Sequence, residues 1–223
     1  MRVEWHGQSA FSLEGEEGTV FIDPFGEMTA AKERGIEWNY PAIEADGVDL
    51  LLVTHEHADH NGVEAIAGEP HTVRSLAGTH GSPVGQIVGI SSEHDATAGT
   101  ERGHNTIFVF ELDGLRVAHF GDFGQAELRP EQRPALEGVD LVIVPVGGSA
   151  TIGGTAAAEI ALSLEPSWVV PMHYRTPRIG FLETEQEFAA AFAKVIRLET
   201  PSFDTDELER AETGAVAVIP ASP

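Results

Sequence analysis

The chain has 223 residues, 42% of them apolar, enough to bury a substantial core as one domain over 1–223, and no apolar run approaches the length that spans a membrane. It contains no cysteine, which excludes disulfides, thiolate metal sites, iron–sulfur clusters and cysteine nucleophiles, so any metal must be held by imidazole and carboxylate. Its 36 acidic residues against 13 basic ones give a formal charge of -23, a field that repels polyanions and argues against nucleic acid as a partner.

In chain order, Arg2 to Trp5, Ala10 to Glu14 and Val20 to Asp23 are short apolar runs separated by turn residues, which predicts a β-meander. Met1 to Trp5 lacks the basic-then-apolar pattern of an export signal, so a cytoplasmic location is expected. Residues 26–47 read as irregular or briefly helical. Val48 to Val53 is a continuous apolar run, the pattern of a strand covered on both faces. Gly62 to Ala67 suggests a short helix, Thr72-Val73 and Gln86 to Ile90 further strands, the second leading towards His94. Two longer strands, Thr106 to Leu112 and Leu115 to Phe120, flank Asp113-Gly114, a dipeptide favoured in tight hairpins. Asp140 to Val146 reads as a buried strand, Thr155 to Leu164 as a helix, Trp168 to Pro171 as a strand, Glu185 to Ile196 as an amphipathic helix and Ala215 to Ile219 as a closing strand. Hairpins early and helix–strand units late predict a mixed-sheet architecture rather than a doubly wound parallel one.

The chemistry concentrates in His55-Glu56-His57-Ala58-Asp59-His60, directly after the apolar strand. In near-extended chain, His55 and His57 project to the same side and can share one ion, while the following turn aims Asp59 and His60 at a second. The alternative is a solvated loop in which Asp59 caps a helix, but so dense a His/Asp cluster favours metal.

His-x-His-x-Asp-His after a buried strand resembles the signature of the metallo-β-lactamase superfamily, and four more segments are similar to that family's motifs in the same order: Phe21-Ile22-Asp23-Pro24, Ser92-Glu93-His94-Asp95, Phe120-Gly121-Asp122 and Val170-Pro171-Met172-His173-Tyr174. The resemblance implies an α/β fold, a four-layer αββα sandwich of two mixed β-sheets flanked by helices. It also implies that His55, His57 and His94 bind one metal, that Asp59, His60 and His173 bind another, and that Asp122 bridges them. Two carboxylates and a hydroxide would then offset two divalent ions to one net positive charge. His94 competes with His80 and His104 for its role; Asp122 could simply make a turn, and His173 could be structural. His119 is expected as a packed histidine behind the ligands, Asp23 as a fastener of the loops beneath them, and Tyr174 or Arg102 as contacts for substrate.

The implied function is a binuclear metal-dependent hydrolase in which a metal-bound hydroxide attacks a small ester, lactone or phosphodiester, with Asp59 accepting the nucleophile's proton. Two zinc ions are expected, manganese or iron being the alternatives, and the partner is a small-molecule substrate rather than nucleic acid or membrane. A di-iron oxidoreductase on the same fold and a non-catalytic metal-binding protein are the competing readings. The first is disfavoured because its known pattern has glutamate where His57 stands. Gly147 to Gly153 resembles a loop of the small lactonase-like members, which usually carry aspartate at the position of Gly153; this chain departs from them there.

Overall fold

The computed structural model describes residues 1–149 and 151–223. The meander forms as expected: β1 (Arg2–Gly7), β2 (Ala10–Gly15) and β3 (Gly18–Ile22) pair antiparallel in succession. β4 (Leu50–Val53) and β5 (His71–Arg74) then add in parallel to β3, and β13 (Ser202–Asp204) closes the other edge against β1. The result is a six-stranded mixed sheet.

The second sheet has eight strands. β6 (Gly78–Ser82), β7 (Gly85–Glu93), β8 (His104–Leu112) and β9 (Leu115–His119) form its antiparallel half. Asp113 and Gly114 both take positive φ in the β8–β9 turn, the backbone that a two-residue hairpin requires. β10 (Leu141–Pro145), β11 (Trp168–Met172), β14 (Val216–Ile219) and β12 (Lys194–Arg197) form the parallel half.

Side-chain alternation decides what each face buries. Val20 and Ile22 on β3, with Leu50 and Leu52 on β4, point into the core shared with the second sheet, where they join Phe108, Phe110 and Val117. Phe21 and Leu51, one residue out of phase, enter a separate cluster with Phe25, Trp38, Tyr40 and Ile43. That outer layer is mostly irregular chain, since α1 (Thr29–Glu33) buries no residue. The outer face of the second sheet is covered by α3 (Gly154–Leu162), whose Ala157, Ala158, Ile160 and Ala161 are buried, with α4 (Gln186–Ala190) beside it and α2 (Arg133–Leu136) near the start of β10. Two mixed sheets between two outer layers are thus the architecture, with the helical share smaller than the sequence pattern suggests.

Two elements differ from expectation. Glu185 to Ile196 is not one helix: it is the short α4 followed by strand β12. Phe188 and Phe192 do pack on each other, centroids 4.7 Å apart, but the β-branched pair Val195-Ile196 aligns in parallel with Ala217 and Val218 of β14, and sheet pairing overrides the helical spacing. Gly62 to Ala67 contains only the 3-10 turn Val63–Ala65. No helix among the described residues is long and apolar enough to cross a membrane.

Candidate metal centre

Six loops meet at one edge of the sandwich. Asp23 follows β3, the His55 to His60 segment follows β4, His94 follows β7, Asp122 lies just past β9, His173 follows β11, and Gln8-Ser9 form the β1–β2 turn. Each histidine or aspartate stands where a rigid strand releases the chain, which holds a side chain accurately while leaving it able to reach a ligand.

The seven expected ligands fall into two groups, His55, His57 and His94 in one and Asp59, His60, Asp122 and His173 in the other, with ligand atoms within 4.8 Å of one another inside each. Asp122 stands between them. Its Oδ2 lies 3.1 Å from His94 Nε2, 3.2 Å from His60 Nε2 and 3.3 Å from His173 Nε2. His55, His60, His94, Asp122 and His173 are buried; His57 is exposed and Asp59 partly so, and the centre opens to solvent on their side.

Proton positions follow from the hydrogen bonds. Asp23 is fully buried and accepts from Thr54 N at 2.7 Å, from Thr54 Oγ1 at 2.7 Å and from His60 Nδ1 at 2.8 Å. A carboxylate cannot donate, so His60 Nδ1 carries a proton, and Nε2 faces Asp122 and, 3.7 Å away, Asp59 Oδ2, where it can hold either a second proton or a metal ion. Thr54 has given its own proton to Asp23, so its oxygen, 3.1 Å from His55 Nδ1, accepts from that ring. His55 Nε2 then carries a lone pair, 3.0 Å from His57 Nδ1. One aspartate therefore sets the tautomer in both groups, directly for His60 and through Thr54 for His55.

Carboxylate oxygens and imidazole nitrogens crowded this closely inside a protein call for a cation between them, whether a proton or a metal ion. His60 Nε2 and His173 Nδ1 are buried without a hydrogen-bond partner, which costs free energy for any polar atom left so. Electrostatics show the same demand for positive charge. For His60, burial disfavours protonation, yet Asp122 and Asp23 outweigh it and lift its pKa well above the ordinary value; for His94, burial is likewise outweighed by its hydrogen bond to Asp122. Asp122 is held well below the usual carboxylate range by His173 and His60 in spite of burial, whereas burial, aided by the field of His60, keeps His55 neutral. Five imidazoles and two carboxylates with buried lone pairs form a donor set that fits divalent transition metals.

The backbone is bent to reach this arrangement. Gln8, Asp23 and His173 all adopt φ near +50°, a left-handed conformation uncommon for residues with a Cβ and concentrated in proteins at functional sites. Gly121 has φ +56, and a Cβ there would lie 2.3 Å from Asn105 Oδ1 and 2.7 Å from Thr54 Cβ. Only glycine fits this approach.

Asn105 went unmarked in the sequence. Its side chain accepts from Asp122 N at 3.0 Å and donates to Ser92 Oγ and Phe120 O, both at 2.8 Å, so it ties the Asp122 loop to the strand leading to His94. Ser9 Oγ donates to Asp122 Oδ1 at 3.1 Å. Neither has a sequence signal, because both contacts join segments distant in the chain. His119 is packed as expected: Gly121 N donates to its Nδ1 at 3.2 Å, so its Nε2 donates to Ser9 O at 3.0 Å. The ring is thus neutral behind the two groups, and burial lowers its pKa.

Tyr174 lies in the core instead of facing the cluster, its ring stacked on Trp5 at 5.2 Å. Arg102 is exposed and takes part through its backbone N–H, which donates to Asp95 at 2.8 Å. His80 is half-buried and His104 exposed, and neither lies in either group. In the Gly147 to Gly153 loop, Ala150 lies outside the described residues. A side chain at Gly153 would begin 3.4 Å from Glu183 Oε2, so a carboxylate from another segment stands near the position where the lactonase-like loop has its aspartate.

A family model described as a beta-lactamase superfamily domain matches residues 2–173. A metal-dependent hydrolase of Pelotomaculum thermopropionicum is 31% identical over 209 residues, covering 79% of this chain and 85% of its own. A Thermotoga maritima structure described as a Zn-dependent hydrolase of the metallo-β-lactamase superfamily superposes with a TM-score of 0.77 at 26% identity, covering 99% of both chains. A di-iron β-hydroxylase of Streptomyces venezuelae, 15% identical, shares the fold over 77% of this chain and 44% of its own with a TM-score of 0.54.

Proposed function

The chain belongs to the β-lactamase superfamily, and on that premise we propose that it is a metal-dependent hydrolase holding one divalent ion in each of the two groups described above. The observation that carries this reading is the convergence of three imidazole nitrogens, Nε2 of His94, His60 and His173, on Asp122 Oδ2 at 3.1 to 3.3 Å, with His60 Nε2 buried among them. Zinc is the metal we favour, with manganese and iron as alternatives. Bound ions would supply Lewis acidity, lowering the pKa of water and polarising a substrate oxygen.

The chain's own residues do the rest. His55, His57 and His94 would hold one ion, and Asp59, His60 and His173 the other, with Asp122 shared. Asp23 and Thr54 hold the Nδ1 protons of His60 and His55 and so aim the Nε2 atom of each ring into the cluster, and Ser9 and Asn105 fix Asp122 in place. Asp59, on the open side, is positioned to take the proton that water loses as it attacks. The substrate is a small ester, lactone or phosphodiester; polyanions are repelled by the net charge of -23. One apolar cluster runs from Val3 to Ile219, which supports reading residues 1–223 as a single domain, and we place it in the cytoplasm.

The test is hydrolysis of p-nitrophenyl acetate, γ-butyrolactone and bis-p-nitrophenyl phosphate by metal-loaded protein, compared with Asp59→Asn and His173→Ala. At least one substrate should be hydrolysed, with kcat reduced roughly a hundredfold or more in each variant; turnover unaffected by both changes overturns the proposal. The second reading is iron-dependent oxidation, motivated by the shared fold of the β-hydroxylase, and a visible absorption band from bound iron would favour it.

A further inference from the structure

A 480 Å³ cleft is lined by the aromatic residues Phe25, Trp38 and Tyr40 of the segment that covers the six-stranded sheet. Their ring centroids lie 5.0 to 5.8 Å apart, so they form one continuous aromatic surface. The volume is that of a small-molecule site. Trp38 is nine-tenths buried, and its indole N–H has no acceptor in the protein.

Charged residues of one dominant sign share the cleft. Glu27, Glu44 and Glu64 line it with a single lysine, Lys32. None of these four enters an ion pair among the described residues; Glu64 lies in the field of Arg74, which is itself paired with Glu56. An anion would meet their field on top of that of a chain with charge -23, while a cation would gain from the carboxylates and from the negative faces of the aromatic rings.

The cleft adjoins the metal centre. Gly62, two residues after His60, donates its N–H to Pro24 O at 2.8 Å, and a Cβ on Gly62 would fall 2.3 Å from Gly26 N. The loop that carries Asp59 and His60 therefore leans directly on the Phe25-Gly26 wall.

We propose that this cleft binds a small organic cation with an apolar or aromatic body, such as an arylammonium. Resting on the hydrolase reading, the cation would be the non-reacting part of the substrate, which makes amino-bearing esters or lactones the favoured class.

Phenyltrimethylammonium is the probe, compared with neutral benzyl alcohol and anionic benzoate, and titrated into the full chain by calorimetry and tryptophan fluorescence. The cation should bind saturably and the other two at least fivefold more weakly. The exposed double substitution Glu27→Gln with Glu44→Gln should weaken it roughly fivefold, since surface charge pairs are worth little each, and Trp38→Phe by roughly tenfold, with thermal unfolding showing that each variant is folded. Absence of saturable binding, benzoate binding as well as the cation, or affinity unchanged in folded variants overturns the proposal. Repeating the titration after metal removal separates the two readings: cation binding to a chain that takes up no metal would sink the hydrolase, and two bound ions without cation binding would sink the cleft.

Discussion

Replacing Asp23 with asparagine removes one charge and one acceptor from a fully buried group that receives three hydrogen bonds, from Thr54 N, Thr54 Oγ1 and His60 Nδ1. An amide keeps a single oxygen. If that oxygen takes the place of Oδ2, the new NH2 faces the Thr54 N–H, donor against donor. That bond is lost and a buried N–H is stranded, at about 1–3 kcal/mol. The two surviving bonds fall from charge-assisted to neutral strength, a loss of about 1 kcal/mol each. Asp23→Asn should therefore destabilise the metal-free chain by about 3–5 kcal/mol in urea unfolding. It should also lower metal affinity roughly 10- to 100-fold, the usual effect of losing a carboxylate behind a ligating histidine. Calorimetric titration with zinc reads the second effect in variants still folded at low urea. A loss of stability below about 1 kcal/mol together with zinc affinity within twofold of the parent would refute the argument that Asp23 orders both groups.

Other outcomes follow from the same geometry. Gly121→Ala should cost about 2–4 kcal/mol and weaken metal binding, since its Cβ would displace the Asn105 side chain; unaltered unfolding would show that the turn can relax. Asn105→Leu frees the Asp122 N–H and the loop leading to it, so kcat for any hydrolysed ester should fall roughly tenfold or more while far-UV circular dichroism stays unchanged. His119 has a pKa lowered by burial from 6.5, so below about pH 6.5 the unfolded chain takes up a proton that the folded chain refuses. Stability should decline as pH falls through that range, by up to about 1.4 kcal/mol per pH unit from this group. His119→Gln should flatten that slope in urea titrations from pH 7 to pH 5, and equal slopes in both proteins would contradict the buried neutral ring.

Much of this centre can be read in the chain because its densest part is local. His55 to His60 follow a strand whose apolar run is unmistakable, and the hairpin at Asp113-Gly114 follows from two residues suited to positive φ. His94, Asp122 and His173 are different: each is an isolated residue after a strand, and only the order of motifs singled them out. Asn105, Ser9 and Thr54 carried no signal, because their work depends on which strands become neighbours. The reading of Glu185 to Ile196 as one helix failed for the same reason. Phe188 and Phe192 satisfy helical spacing locally, but the pairing of Val195 with Ala217 is set by a strand that arrives twenty residues later.

The most direct measurement is elemental analysis of the purified chain, dialysed against metal-free buffer after zinc loading, beside Asp122→Ala. One ion in each group, hence about two per chain, is the expected result, with a marked loss in the variant because Asp122 touches both groups. A folded parent chain that retains no metal, or a stoichiometry indifferent to Asp122, would contradict the assignment of these seven side chains to a two-ion centre.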